Sequence, residues 1–94
     1  MAQDVDKSDV MRAIGARLRL TRKALGLSQD DLADSINVGR TTYTMWEGGQ
    51  RLADVLAISR MADRYGVSLD WVYRGNMAGL PHVIARRIEE LRAS

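Results

Sequence analysis

The sequence predicts an all-α fold of five short helices with one more helix at the C-terminal end. Apolar residues recur at helical spacing through most of the 94 residues, and no stretch alternates in the manner of a half-buried strand. Capping-type residues stand ahead of apolar stretches, as Ser28 and Ser68 do, and glycines follow them, as Gly26, Gly66 and Gly75 do. No internal repeat is present.

Each element has its own signal. Residues 1–8 are polar and aperiodic and read as a flexible arm. Ser8 or Asp9 is the expected cap of a first helix, on which Val10, Ile14, Leu18 and Leu25 form the apolar stripe. Gly26 ends it, since glycine tolerates positive φ. Ser28 caps a second helix, with Asp31 three residues on in a capping-box-like place. Leu32, Ala33 and Ile36 turn inward, and Asn37 suits a left-handed turn position. A third helix is expected over about Arg40 to Glu47, with Tyr43 and Trp46 on its inner face and Gly48-Gly49 behind it.

The fourth helix is expected from about Leu52 to Arg64, with Val55, Ile58, Ala62 and Tyr65 inward. Ser68 caps a fifth, on which Leu69 and Val72 face in. Trp71 and Tyr73 flank Val72 and have three open roles: exposed, packed on the last helix, or in a dimer contact. Pro81 suits the first turn of a last helix carrying Ile84, Ile88 and Leu91. That helix is too short to stand alone in water, so its stripe needs a partner, either its own domain or a second copy. The expected organisation is an arm over 1–8, a helix-turn-helix unit over 9–75, and a loop with a C-terminal helix, a candidate dimerisation element, over 76–94.

Composition narrows the function. Hydrophobic residues make up 46% and charged residues 28%, the balance of a chain that folds. A single domain of this size buries roughly 60–65% of its extended-chain surface. There is no cysteine and one histidine, His82, which removes thiolate chemistry and Cys- or multi-His metal sites. Neither catalysis, a cofactor nor a metal is expected. No apolar run approaches the ~18 residues of a membrane span. The N-terminus is acidic rather than basic-then-apolar, so the cytosol is the expected compartment. Net charge is only +2, yet Arg12, Arg17, Arg19, Arg22 and Lys23 follow one another with no acid between Met11 and Leu27. Such a block suits a polyanion or is simply a solvated helix face. Asp30, Asp31 and Asp34 come directly after it, so any binding surface is local.

Two helices joined by a tight turn are a DNA-reading device in many small domains. With Tyr43 and Trp46 turned in, Arg40, Thr41, Thr42, Thr44 and Met45 remain outward. An arginine can donate two bonds to a guanine edge, and a thioether or a Thr methyl can pack on a thymine methyl. Met45 is equally readable as an exposed filler.

The segment Ile14 to Gly75 resembles the lambda-repressor-like helix-turn-helix family, the Cro/C1 or XRE type. The resemblance rests on Ile14-Gly15, Leu18, Arg22, Leu25-Gly26-Leu27-Ser28-Gln29, Leu32-Ala33, Val38, Trp46-Glu47, Gly49, Ala62 and Gly66-Val67-Ser68-Leu69. It implies a five-helix DNA-binding domain with an additional C-terminal helix. It further implies that Arg40, Thr41, Thr42 and Met45 face base edges. Gln29, Thr44 and Arg51 are then placed at the DNA backbone, and Arg22 and Glu47 form a structural ion pair. Three positions depart from the usual pattern: Asn37 for Gly, Gly39 for a Ser or Thr cap, and Ala53 for Pro. The expected partner is a double-stranded, pseudo-palindromic operator, bound by a homodimer that acts as a repressor; no membrane or metal partner is expected. The alternative is an antitoxin-like or adaptor protein that uses the domain and its last helix against another protein.

Overall fold

The computed structural model describes residues 6–94. These residues form α1 (Lys7–Leu25), α2 (Gln29–Ser35), α3 (Arg40–Glu47), α4 (Val55–Tyr65), α5 (Leu69–Arg74) and α6 (His82–Ala93), with no strand among the described residues. The architecture is all-α, five helices followed by a C-terminal sixth, as expected.

The first helix starts earlier than the sequence reading placed it. Asp6, rather than Ser8 or Asp9, is the cap, and its carboxylate accepts from the Ser8 N–H at 2.9 Å. The earlier cap adds the backbone bond from Val10 N–H to the Asp6 carbonyl. It leaves Asp9 in the first turn, where a carboxylate faces the positive end of the helix dipole. Residues 1–5 of the expected arm lie outside the described residues. Ser28 caps α2 by accepting from Asp31 N–H at 3.0 Å. No return bond from the Asp31 carboxylate is made, because Asp is one methylene shorter than the Glu or Gln that usually closes such a box. Asn37 takes the left-handed conformation, at φ 59°. The turn is tied back by Val38 N–H to the Ala33 carbonyl at 2.9 Å.

The fourth helix also differs from expectation. Asp54 caps it, accepting from Ala57 N–H at 3.0 Å, so α4 begins at Val55 and Leu52 belongs to the preceding loop. Its buried side is Ala57, Ile58 and Met61, and Val55 is exposed. Val55 stands about a third of a turn away from the centre of that stripe, given 3.6 residues per turn. Pro81 is the cap of α6 rather than a residue of its first turn.

α1 is the spine, packing against α3, α5 and α6. Gly15 is where it crosses the end of α3. A Cβ there would stand 2.5 Å from the Glu47 carbonyl oxygen and closer still to that of Trp46. The other side of α1 meets α5 through a buried relay. The Trp71 indole donates to the Thr21 hydroxyl at 2.8 Å, and that hydroxyl donates to the Arg17 carbonyl at 2.7 Å. Trp71 is therefore core, with the Arg92 guanidinium over its ring. The stripe of α6 is used inside the domain: Ile88 is fully buried, and Ile84 and Leu91 pack beside it. Arg87 fixes α6 to the end of α1 by donating to the Ala24 carbonyl at 2.9 Å.

Candidate nucleic-acid interface

The site is built on α2, the turn through Gly39, and α3. Ala33 is buried where the helices cross, as its small size requires. Tyr43 and Trp46 anchor α3, their rings edge to face at 6.0 Å between centroids. With that face committed, Arg40, Thr41 and Thr44 are exposed and Thr42 and Met45 half-buried. Gly39 caps α3 without a side-chain bond, as expected from its lack of a side chain. Glycines behind α3 let the chain fold back, with Gly49 at φ 74°. Gln50 and Arg51 N–H groups then both return to the Met45 carbonyl, at 2.9 and 3.4 Å, and bring exposed Arg51 beside the end of α3.

Beneath this surface lies the ion pair that the resemblance implied. Arg22 donates through Nε and Nη2 to the two oxygens of Glu47, at 2.7 and 3.1 Å. The side chains are 14% and 5% exposed, so the pair is largely out of water. Arg22 also donates to the Leu27 carbonyl at 3.1 Å, locking the α1–α2 corner. Burial pushes the Glu47 carboxyl upward, but hydrogen bonds from Arg22 and Gln29 and the Arg22 charge outweigh it and hold the group below its ordinary range. The Glu47 bond raises the Arg22 guanidinium in turn. The Tyr43 hydroxyl is buried next to the pair with no hydrogen-bond partner. Burial, reinforced by the Glu47 carboxylate, pushes that phenol far above its usual range.

Gln29 joins the pair to the surface. Its side-chain nitrogen donates to Glu47 Oε1 at 3.1 Å, and its side-chain oxygen accepts from the Thr44 hydroxyl at 3.2 Å. Arg40, at the other end of α3, lies against Asp30, with Nε 3.4 Å from Oδ1 and Nη1 3.5 Å from Oδ2. Both side chains of that second pair are mostly in solvent. Neither the Thr44–Gln29 bond nor the Asp30–Arg40 pair is visible in the sequence reading. Only the position of Asp30 and Gln29 at the start of α2, opposite α3, hinted at them.

The cation block of α1 does not form one patch. Arg12 pairs with Asp9, Arg17 donates to the Val72 carbonyl, and Arg22 is taken by Glu47. Arg19 and Lys23 border a groove between α1 and the end of α6, lined also by Ala16, Leu20, Leu91 and Ser94. Among the described residues no group of three or more His, Asp or Glu side chains is arranged to hold a metal. No described helix is long and apolar enough to cross a membrane.

Two crossed helices with a positive-φ turn, an inner face closed by aromatics and an outer face of hydroxyls, guanidinium and thioether define a helix-turn-helix protein. A helix-turn-helix family model matches residues 18–72. The chain belongs to that family, in its lambda-repressor-like Cro/C1 (XRE) type. It is 31% identical over 64 residues to the SPbeta prophage-derived HTH-type transcriptional regulator YonR of Bacillus subtilis (strain 168), covering 68% of this chain and 59% of that protein. It is 33% identical over 58 residues to the HTH-type transcriptional regulator YqaE of the same organism, covering 62% of this chain and 50% of that protein. The matched segment thus spans half to about three fifths of the length of these relatives. No solved structure matches significantly.

Proposed function

We propose that this protein is a sequence-specific, double-stranded DNA-binding transcriptional regulator of the cytoplasm, a repressor that acts as a homodimer on a pseudo-palindromic operator. One observation carries the reading. α3 is held by Tyr43 and Trp46 on one side and leaves Arg40, Thr41, Thr42, Thr44 and Met45 on the other, with Gln29 joined to Thr44 by a hydrogen bond. Arg40, Thr41, Thr42 and Met45 supply donors, acceptors and methyl contacts for base edges in the major groove. Gln29 and Arg51 approach backbone phosphates, with Thr44 beside Gln29. Repression is steric: the bound dimer excludes polymerase from the operator.

The buried stripe of α6 bears on the dimer. Ile88 is buried inside the domain and Ile84 and Leu91 are half-buried against it, while Val83 on the same helix is exposed. Leu52, Val55 and Leu56, at 53%, 55% and 68% exposed, are the large apolar side chains grouped in solvent. A dimer through this group would place the partner next to the loop that follows α3. The same exposed group favours the second reading, an adaptor whose partner is another protein.

Selecting bound sequences from random duplex DNA tests the proposal. The expected result is a motif with two related half-sites about one DNA turn apart. Recovery of unenriched sequence would refute sequence-specific regulation, and a single half-site would refute the dimer.

A further inference from the structure

We propose that Thr44 is a positioning residue, which aims the Gln29 side-chain amide at a DNA phosphate instead of touching the DNA backbone itself. The inference rests on the DNA-binding reading above and concerns one contact within it.

The chemistry of the donors fixes the arrangement. A carboxylate only accepts, so the Gln29 amide must turn its nitrogen toward Glu47, and it does so at 3.1 Å. Glu47 is itself immobile, held by two bonds from Arg22 and 5% exposed. The amide oxygen of Gln29 then faces the opposite way, toward Thr44, whose hydroxyl lies 3.2 Å from it. A hydroxyl has one proton. While that proton is shared with Gln29, Thr44 has none to offer a phosphate oxygen. The Gln29 nitrogen has two, and only one is used by Glu47. The second N–H is the donor left for an anion.

The flipped amide would be unfavourable at Glu47, where its oxygen would face an acceptor-only carboxylate. Glu47 therefore sets the orientation, and the Thr44 hydroxyl, which can donate or accept, completes it by donating to the oxygen so presented. Two fixed points therefore hold one donor in a single orientation before DNA arrives, which lowers the ordering cost of the contact. Thr44 is exposed on α3 and its methyl makes no contribution to the core, so its hydroxyl is separable from folding.

A double-mutant cycle on affinity for a duplex of mixed sequence tests this, because a phosphate contact acts on any sequence. Gln29→Ala and Thr44→Val are each expected to weaken binding about fivefold or more, the scale of one lost hydrogen bond to a charged group. Thr44→Ser keeps the hydroxyl and is expected to bind as the parent does. With Gln29 already replaced by Ala, Thr44→Val is expected to cost nothing further. If instead the two losses multiply, Thr44 meets DNA on its own and the positioning role falls while the DNA-binding reading stands. If the unsubstituted protein binds no duplex at any salt concentration, that reading falls and takes this inference with it.

Discussion

Arg22 and Glu47 join the last turn of the first helix to the last residue of the third, across 25 residues of sequence, through two hydrogen bonds of 2.7 and 3.1 Å. The pair orients α3 against α1 at the crossing that Gly15 makes possible. Glu47→Ala leaves the guanidinium of Arg22 without its acceptor in a site that is largely closed to water. Removing one partner of a buried pair costs about 3–5 kcal/mol. At the lower end this lowers the melting temperature by roughly 12–24 °C for a domain of this size. Thermal unfolding followed by circular dichroism reads the shift, and an unchanged midpoint would show that α3 is oriented by Tyr43 and Trp46 alone.

The same pair sets an acid limit. In the folded protein the Glu47 carboxyl is held below its ordinary value of about 4.5. A group depressed by folding contributes stability above its unfolded pKa and loses it as pH falls through the folded one. The stability advantage over Glu47→Gln should therefore be full above about pH 4.5 and shrink steadily below it. Urea unfolding of both proteins across pH 3 to 7 measures this. Parallel curves over the whole range would mean that the carboxylate charge adds nothing.

Much of this frame was legible in the sequence because local signals and tertiary need coincided. Asn37, Gly26, Gly66 and Ser28 do in the structure what their chemistry favours. The buried pair was legible only through the family resemblance, since nothing in the spacing of Arg22 and Glu47 brings them together. Other features were hidden for physical reasons. Asp54 precedes an apolar pair, Val55-Leu56, that favours a stripe through Val55, whereas its cap on Ala57 N–H turns Ala57, Ile58 and Met61 inward instead. Trp71 had three open roles, and its burial depends on Thr21, a polar residue fifty positions away that accepts its indole proton. At the surface, the contacts of Gln29 with Thr44 and of Asp30 with Arg40 depend on how two helices face each other across a turn. Hydrophobic periodicity carries no information on that.

Gly15 offers a test of the crossing itself. Alanine is the better helix former by about 1 kcal/mol, so Gly15→Ala would stabilise α1 if helix propensity decided the outcome. The added methyl, however, meets two backbone carbonyls of α3, which cannot rotate away as a side chain can. Overpacking of this kind costs about 1–3 kcal/mol, so a net loss of stability is expected. Gly39→Ala is the control, because a Cβ there meets nothing within 4 Å and φ is −65°. As the N-cap of α3 it should lose no more than about 1 kcal/mol, since Ala is a poorer cap than Gly, with no steric term added. Equal effects of the two substitutions would mean that α1 and α3 can separate at no cost.

Asp30 and Arg40 set the last expectation. Their pair is solvent-exposed, and exposed pairs contribute about 0–1 kcal/mol, so Asp30→Asn should leave the melting temperature nearly unchanged. Its effect should appear on DNA. The carboxylate holds a guanidinium that the proposed function assigns to a base edge, and it adds negative charge beside a negatively charged partner. Asp30→Asn should therefore tighten binding to duplex of mixed sequence several-fold at low salt. The gain should fade as salt rises, because the charges involved are screened. Arg40→Ala should act in the opposite sense and fall mainly on the selected operator, since a bidentate guanine contact is worth about 1–3 kcal/mol of discrimination. Fluorescence anisotropy titrations at two salt concentrations separate these effects. If Asp30→Asn weakens operator binding instead, the carboxylate is aiming Arg40 at its base, and the pair serves recognition.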